Sequence, residues 1–208
     1  MNGHYTKKAV MQNETDTPKA KAAKDRKRLP KKATKSHLEN AALYYVERFS
    51  STAESLRQVL NRRVHRSAHY HDTDIEEGLD WVGDIVERFQ RSGLVDDRLF
   101  AQARARSLLQ RGNSTKTIRM KLFAKGVSSE LIDDALSLLT EEAGEGGTVE
   151  QQAALRLAKR RRLGPFCDPS RRSENREKHL AALARAGFSY DVALQIIDAE
   201  NADELFPI

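Results

Sequence analysis

The densest group of side chains that could perform chemistry is a histidine-rich stretch near residue 70. It combines three imidazoles with two carboxylates, and both groups are common ligands of divalent metal ions. A metal site also needs neighbouring polar groups that orient its ligands, and this polar segment between two predicted helices has none in evident reach. We therefore predict a solvated insertion without a metal, formed by His65, His69, His71, Asp72 and Asp74.

Three other features suggest catalysis but have simpler explanations. Cys167, the sole cysteine, has no histidine close in sequence to activate its thiol. The glycine-rich residues 144–147 lack the preceding strand and the following Lys-Ser or Lys-Thr of a phosphate-binding loop, so they indicate a linker. The adjacent carboxylates Asp96 and Asp97 fit the start of a helix, where N–H groups are exposed. We expect no enzyme and no cofactor.

Basic side chains within the predicted helices are a stronger functional signal. Two pairs of basic residues, spaced seven and four positions apart, are each predicted to lie on one face of a helix. A run of four basic residues lies at the end of a later predicted helix. One such stripe alone is typical of a solvated face, but three in one chain favour binding to phosphate or to an acidic protein surface. The predicted contact residues are Arg104 with Arg111, Lys121 with Lys125, and Lys159, Arg160, Arg161 and Arg162.

An aromatic cluster near residue 45 has two interpretations. Tyr44, Tyr45 and Phe49 could stack on unpaired bases. Their helical spacing instead predicts that at least two of the three belong to the core.

The charge of the chain is unevenly distributed. The 208 residues carry 36 basic and 30 acidic side chains, a net charge of +6. Residues 1–35 hold 11 basic and 3 acidic side chains, so this segment carries +8 and the remainder −2. Because residues 1–35 contain few aromatic and branched apolar side chains, we predict a disordered tail there. This tail is either a solvated extension or an auxiliary arm for nucleic acid.

The composition excludes a membrane-spanning protein and disfavours a secreted one. No apolar run approaches the ~20 residues that a membrane-spanning helix requires. The N-terminus lacks the apolar stretch of a signal peptide, and a single cysteine fits a reducing compartment. We expect a cytoplasmic location.

The elements that position these side chains are predicted to be helices. The clearest one runs from a capping Asp74 to a terminating Gly93, and Ser51 with Glu54 predicts the start of the helix before it. A helix near the C-terminus is predicted from Arg176 onward. The apolar face of the clearest helix consists of Ile75, Leu79, Val82, Val86 and Phe89.

The helical pattern recurs as three divergent three-helix units. The second and third units share a Gly-apolar-Ser turn, which is Gly126-Val127-Ser128 in the second unit and Gly187-Phe188-Ser189 in the third. Each unit is too small to be stable alone, so we predict that the units stack into an elongated, curved all-α array. The predicted units span residues 36–92, 93–142 and, after a Gly-rich joint, 143–208.

The stretch GLVDDRLFA at residues 93–101 resembles the G-L-x-D-D-x-x-F-A signature of the RecX regulatory proteins. Matches continue at residues 111–112, 118–122 and 125–127, and the resemblance covers about residues 41–200. We assign capping and packing to the motif residues Gly93, Asp96, Asp97, Phe100, Gly112, Gly126 and Gly187.

This resemblance implies a non-enzymatic helical protein that modulates the RecA recombinase. Members of the family lie in the groove of the RecA filament on DNA and hinder filament growth, ATP hydrolysis and strand exchange. The expected partners are the RecA filament and single- or double-stranded DNA, bound weakly and salt-dependently, and we expect a monomer without a membrane partner. The alternative is a helical DNA-binding transcription regulator, which basic stripes on short helices would also fit.

Overall fold

The computed structural model describes residues 29–143, 147–201 and 205. The chain divides into two units, Met1–Lys31 and Lys32–Ile208, and only residues 29–31 of the first are described. Most of the tail predicted over residues 1–35 therefore lies outside the described residues, as do residues 144–146 of the Gly-rich joint. The end of that predicted tail is folded, since Ala33 is buried and its N–H donates to Ser67 Oγ at 2.7 Å.

All secondary structure in the described residues is helical, which confirms the all-α prediction. Nine α-helices and one 3-10 helix at Gly164–Phe166 are present in these residues, and none is long and apolar enough to cross a bilayer. The α-helices are α1 (Lys35–Arg48), α2 (Ala53–Tyr70), α3 (Ile75–Arg91), α4 (Asp97–Gln110), α5 (Thr115–Phe123), α6 (Ser129–Ala143), α7 (Val149–Arg161), α8 (Pro169–Arg185) and α9 (Tyr190–Asp198).

Local capping chemistry sets most helix boundaries. Asp96 accepts from the Leu99 N–H at 2.9 Å and caps α4, and Asp74 caps α3 in the same way. Glycines with positive φ close several helices, because this conformation strains residues that carry a Cβ. They include Gly93, Gly112, Gly126 and Gly187, with φ of 73°, 69°, 78° and 90°.

The limits of α2 differ from the sequence prediction. Thr52, not Ser51, is the cap, because the Thr52 hydroxyl accepts from the Ser55 N–H at 3.0 Å. The helix then continues to Tyr70, so the first six residues of the segment that we predicted as a loop, from His65 onward, are helical. His65 and His69 are consequently helical and exposed.

Helix α8 begins earlier than predicted. Its first residue is Pro169, seven residues before the predicted start at Arg176, and Asp168 caps it by accepting from the Ser170 N–H at 3.0 Å. A proline at the first helical position has a suitable φ and lacks an N–H that would need a partner. The Gly-Pro-Phe-Cys-Asp-Pro segment therefore leads directly into a helix.

The helices associate in threes, in chain order. Within each set of three, every helix contacts the other two, and α7 also packs against α4 and α6. We call α1–α3, α4–α6 and α7–α9 the first, second and third helix groups.

Buried apolar side chains form two clusters. The first helix group encloses one of them, while the second and third groups share the other. Large members of the first cluster are Leu38, Leu56, Leu60, Val64 and Ile85, and those of the second are Ile118, Leu122, Ile132, Leu157, Leu183 and Ile196.

Candidate partner-binding surface

Two hydrogen bonds join the first helix group to the second. The hydroxyl of Thr52, at the start of α2, donates to the carbonyl of Lys125 at 2.6 Å. The backbone N–H of Ala53 donates to Asp97 Oδ1 at 2.8 Å. Asp97 thus satisfies an N–H at the beginning of a helix in the preceding group. We call this contact region the first junction.

The junction between the second and third groups repeats this arrangement. The Ser114 hydroxyl, which caps α5, donates to the carbonyl of Ala186 at 2.8 Å. The N–H of Thr115 donates to Glu150 Oε2 at 3.0 Å. At both junctions, a capping hydroxyl therefore bonds the carbonyl before a positive-φ glycine, and a carboxylate of the next group bonds the following N–H. We call this region the second junction.

The glycines of the family motif allow the close approach that these contacts require. A Cβ on Gly187 would lie 2.7 Å from Ser114 Oγ. A Cβ on Gly112 would lie 2.7 Å from the backbone nitrogen of Leu157. Both distances are shorter than a van der Waals contact, so these two positions serve the second junction as well as the local turns.

Ion pairs neutralise several arginines of the second helix group. Arg98 contacts Asp134 at 2.6 Å, and Arg119 contacts Asp133 at the same distance. Arg106 binds Glu142 through both carboxylate oxygens. The hydrogen bond from Arg106 lowers the pKa of Glu142, and the Glu142 carboxylate raises the pKa of Arg106. These arginines hold α6 against α4 and α5.

The eight predicted contact cations contrast with those arginines. All eight are exposed, and none takes part in an ion pair among the described residues. Their charge is therefore available to an external anion.

Three of the eight make contacts near the second junction, and three more flank Arg160 in sequence. The guanidinium of Arg160 donates to the carbonyl of Arg111, which joins the end of α7 to the end of α4. Lys121 Nζ donates to Asn113 Oδ1 at 2.7 Å, two residues beyond Arg111. We call this set the second-junction basic cluster: Arg111, Lys121, Lys159, Arg160, Arg161 and Arg162.

The other two cations meet at the first junction. Arg104 and Lys125 line the same depression of about 340 Å³, together with Ser50, Phe100 and Ala103. The predicted stripe of Lys121 with Lys125 is wrong, because α5 ends at Phe123 and Lys125 lies beyond the helix. Arg104 lies within α4, and Arg111 is the C-cap residue of that helix.

An adjoining depression of about 310 Å³ is lined by six apolar residues together with Ser50, Ser51, Gly93 and Asp96. It shares Ser50, Phe100 and Ala103 with the basic one, so the two form a continuous groove. We call it the first-junction groove. Its apolar residues are Val46, Phe49, Leu94, Leu99, Phe100 and Ala103.

The aromatic cluster lies partly in this groove. Only Tyr45 packs against the core, and its ring centroid lies 5.3 Å from that of Phe49. Tyr44 and Phe49 are 59% and 50% exposed. The prediction that at least two of the three are core residues is therefore wrong.

Sequence reasoning missed a further basic face on α2. Arg62, Arg63 and Arg66 are exposed and form no ion pair within the described range. Their spacing of three and four residues was the available signal. Of the three, only Arg66 lies in the segment that we predicted as an insertion.

The described residues contain no metal-binding cluster, and one buried histidine has a structural role. Across the described residues, no three His, Cys, Asp or Glu side chains converge on a point that could hold a metal ion. His179 is buried, and its Nδ1 accepts from the Gly164 N–H at 3.2 Å. Burial, with a smaller contribution from Lys178, lowers the pKa of His179. This imidazole links the 3-10 helix to α8.

Residues 96–136 match the family model described as RecX, second three-helix domain. The regulatory protein RecX of Myxococcus xanthus (strain DK1622) is 42% identical over 174 residues, which cover 83% of this chain and 90% of that protein. Its counterpart in Halorhodospira halophila is 27% identical over 172 residues, covering 83% and 93%.

Solved structures show the same fold. The crystal structure of RecX from Lactobacillus salivarius superposes with a TM-score of 0.55 at 24% identity, covering 80% of this chain and 96% of that one. A crystal structure of a regulatory protein RecX gives a TM-score of 0.56 at 26% identity, covering 79% and 72%. The helical repeat is therefore shared with these proteins.

Proposed function

Because the chain belongs to the RecX family of regulatory proteins, we propose that it binds the RecA recombinase filament on DNA and restrains that filament. Binding in the groove of the filament would hinder filament growth, ATP hydrolysis and strand exchange. The protein would act in recombination and DNA repair, in the cytoplasm and as a monomer.

One observation carries this proposal. The eight cations without acidic partners among the described residues lie around two successive junctions of a repeated helical scaffold. A filament presents the same groups at regular intervals, and a repeat array offers a long surface that can follow them. Exposed cations without carboxylate partners suit the phosphates of DNA or acidic protein groups along such a path.

The proposal needs no catalytic step. A protein that occupies a filament groove changes the rates of the filament by binding, since it stabilises or blocks particular arrangements of the subunits. The protein is accordingly proposed to be a regulator without enzymatic activity of its own.

RecA-dependent ATP hydrolysis on single-stranded DNA tests the proposal. Increasing amounts of the wild-type protein should lower the hydrolysis rate, and Lys159→Glu with Arg161→Glu should weaken this inhibition at least tenfold. Arg91→Glu is the matched control, because Arg91 is exposed but pairs with Glu87 in the first helix group. An unchanged hydrolysis rate over a wide range of protein concentration would contradict the proposal.

The rival hypothesis, a DNA-binding transcription regulator, rests on the short helix α5. This helix exposes Lys116 and Lys121 and follows a tight turn. Footprinting distinguishes the two functions, because a transcription regulator protects a specific duplex sequence. Weak protection that disappears with salt at every sequence would favour the filament regulator.

A further inference from the structure

The first-junction groove exposes apolar side chains that the fold does not bury. Leu99 is 63% exposed, Leu94 is 52% exposed and Phe49 is 50% exposed. They lie beside the partly buried Phe100 in the depression between the first and second helix groups. Clustered apolar exposure of this kind is typical of an interaction site.

The second junction provides an internal comparison. Phe49 and Arg111 both follow the first helix of their group and both precede a junction hydroxyl by three residues. Leu99 and Gln151 both stand three residues after a capping residue, and Gln151 completes a capping box. The repeat therefore accepts polar side chains at the matching positions of the second junction, and the fold leaves at least half of Phe49 and Leu99 exposed.

The groove changes character along its length. Arg104 and Lys125 line the depression that continues the apolar part, and neither has an acidic partner within the described residues. At the other end Asp96 is engaged in capping α4. The groove thus combines apolar pockets with a positive end.

We infer that the first-junction groove binds an amphipathic segment of the protein partner, with apolar anchors over Phe49 and Leu99 and carboxylates beside Arg104 and Lys125. This inference rests on the proposed function, since it names the part of the filament that the groove receives. Charge complementarity favours an acidic segment, and the apolar lining favours a polypeptide over a phosphate backbone.

The bound segment would also stabilise the contact between the first and second helix groups. The two hydrogen bonds described above join the first group to the second, and the two groups belong to separate apolar clusters. The groove is lined by Val46 and Phe49 from one group and by Leu99 and Phe100 from the other. A segment bound across both would add apolar contact where the fold itself provides little.

The test compares two variants in binding to RecA filaments assembled on poly(dT) and to poly(dT) alone. Phe49→Ser with Leu99→Gln should weaken filament binding at least tenfold and leave DNA binding within twofold of wild type. Met120→Gln with Phe123→Asn is the matched control, because these residues are 58% and 67% exposed on α5 and neither lines the groove. This control should bind filaments like wild type, and far-UV circular dichroism verifies that both variants fold.

A fluorescent reporter gives a second measurement. In a Cys167→Ser background, an environment-sensitive dye on Ala103→Cys should shift to shorter wavelength when filaments are added. The same dye on Ala184→Cys, an exposed position of α8, should not shift.

Each contrary outcome overturns the inference. Filament binding by the groove variant equal to wild type, together with no dye shift, excludes the groove as the docking site. An equal loss of poly(dT) binding identifies nucleic acid as the occupant, and a wild-type dimer that the groove variant abolishes identifies a second copy. Absence of filament binding by wild type overturns the proposed function and this inference together, whereas the first three outcomes leave the proposed function intact.

Discussion

The carboxylate of Asp97 accepts a hydrogen bond from the backbone N–H of Ala53 at 2.8 Å, across 44 residues of sequence. Asp97 is the first residue of α4, yet it satisfies the first N–H of α2. Its neighbour Asp96 caps α4 itself. The paired aspartates of the family motif therefore serve two helices in two different helix groups.

Replacing Asp97 with alanine should destabilise the first junction specifically. Loss of a helix-capping acceptor costs about 1 kcal/mol of unfolding free energy, which urea denaturation can measure. Hydrogen exchange should accelerate at the Ala53 amide in Asp97→Ala but not in Asp96→Ala, which should affect Leu99 instead. Asp97→Asn retains an acceptor and should remain close to wild type. Equal protection of Ala53 in all three variants would disprove the cross-junction role.

Ser114 and Thr117 should show coupled effects on stability. Both hydroxyls donate to the carbonyl of Ala186, at 2.8 and 3.0 Å. Ser114→Ala and Thr117→Val should each cost about 1 kcal/mol, because the remaining hydroxyl still satisfies the carbonyl. The double variant leaves this carbonyl without a protein donor and should cost more than the two single changes combined. Simple additivity in a double-mutant cycle would show that the carbonyl is satisfied in another way.

Local and long-range features were not equally predictable from the sequence. The cap Asp74 and the helix-ending glycines follow from chemistry within one turn of chain, and the structure confirms Asp74, Gly93, Gly112, Gly126 and Gly187. For α4 the sequence left the cap open between Asp96 and Asp97, and the structure shows that it is Asp96. The partner of Asp97 was not predictable, because an acidic residue at a helix start already has a sufficient local explanation. Whether Ser51 or Thr52 caps α2 was equally unpredictable, because both adjacent hydroxyls could cap the helix. Only the contact of Thr52 with Lys125 distinguishes them.

The residues of the candidate surface were predicted from the sequence, but their positions relative to one another were not. Arg111 and Arg160 were both identified, yet their contact across 49 residues depends on the packing of α7 against α4. The stripe through Lys125 failed because α5 ends two residues earlier. The first-junction groove was not predicted, because a leucine is usually a core residue and the sequence does not show that Leu99 is exposed.

Two glycine substitutions should change stability in opposite directions. Gly187→Ala combines a φ of 90° with a Cβ 2.7 Å from Ser114 Oγ, so it should destabilise by more than about 1 kcal/mol. Gly83→Ala lies within α3, where a Cβ meets no described atom within 4 Å, and it should stabilise by about 0.5–1 kcal/mol. Thermal unfolding of the two variants and of wild type measures whether each substitution raises or lowers the unfolding temperature. A neutral Gly187→Ala would contradict the close approach at the second junction.

His179 should make stability depend on pH in a defined window. Its pKa is lowered from the ordinary 6.5 by burial, so the unfolded chain takes up a proton at this imidazole at a higher pH than the folded chain. The contribution of His179 to the free energy of unfolding is thus fully present above pH 6.5 and is lost as the pH falls below 6.5. The lowered carboxyl pKa values of Asp84 and Asp198 act below their ordinary 3.8, outside this window.

Urea denaturation between pH 7.5 and 5.5 isolates the histidine effect. His179→Gln removes the titrating group but keeps an acceptor for the Gly164 N–H. The urea midpoint of wild type should fall over this range, while that of His179→Gln should fall less. Parallel curves for the two proteins would assign the pH dependence to other groups.

The second-junction basic cluster should account for part of the salt dependence of DNA binding. Each cation that neutralises a phosphate contributes about 0.7 to the slope of log affinity against log salt concentration for single strands. Lys159→Gln with Arg161→Gln should therefore reduce the slope by about 1.4, as measured by fluorescence anisotropy with labelled poly(dT). Arg98→Gln with Arg106→Gln removes the same charge from residues that already pair with Asp134 and Glu142, so it should leave the slope unchanged. Equal slopes for wild type and the cluster variant would show that these exposed cations do not contact phosphates.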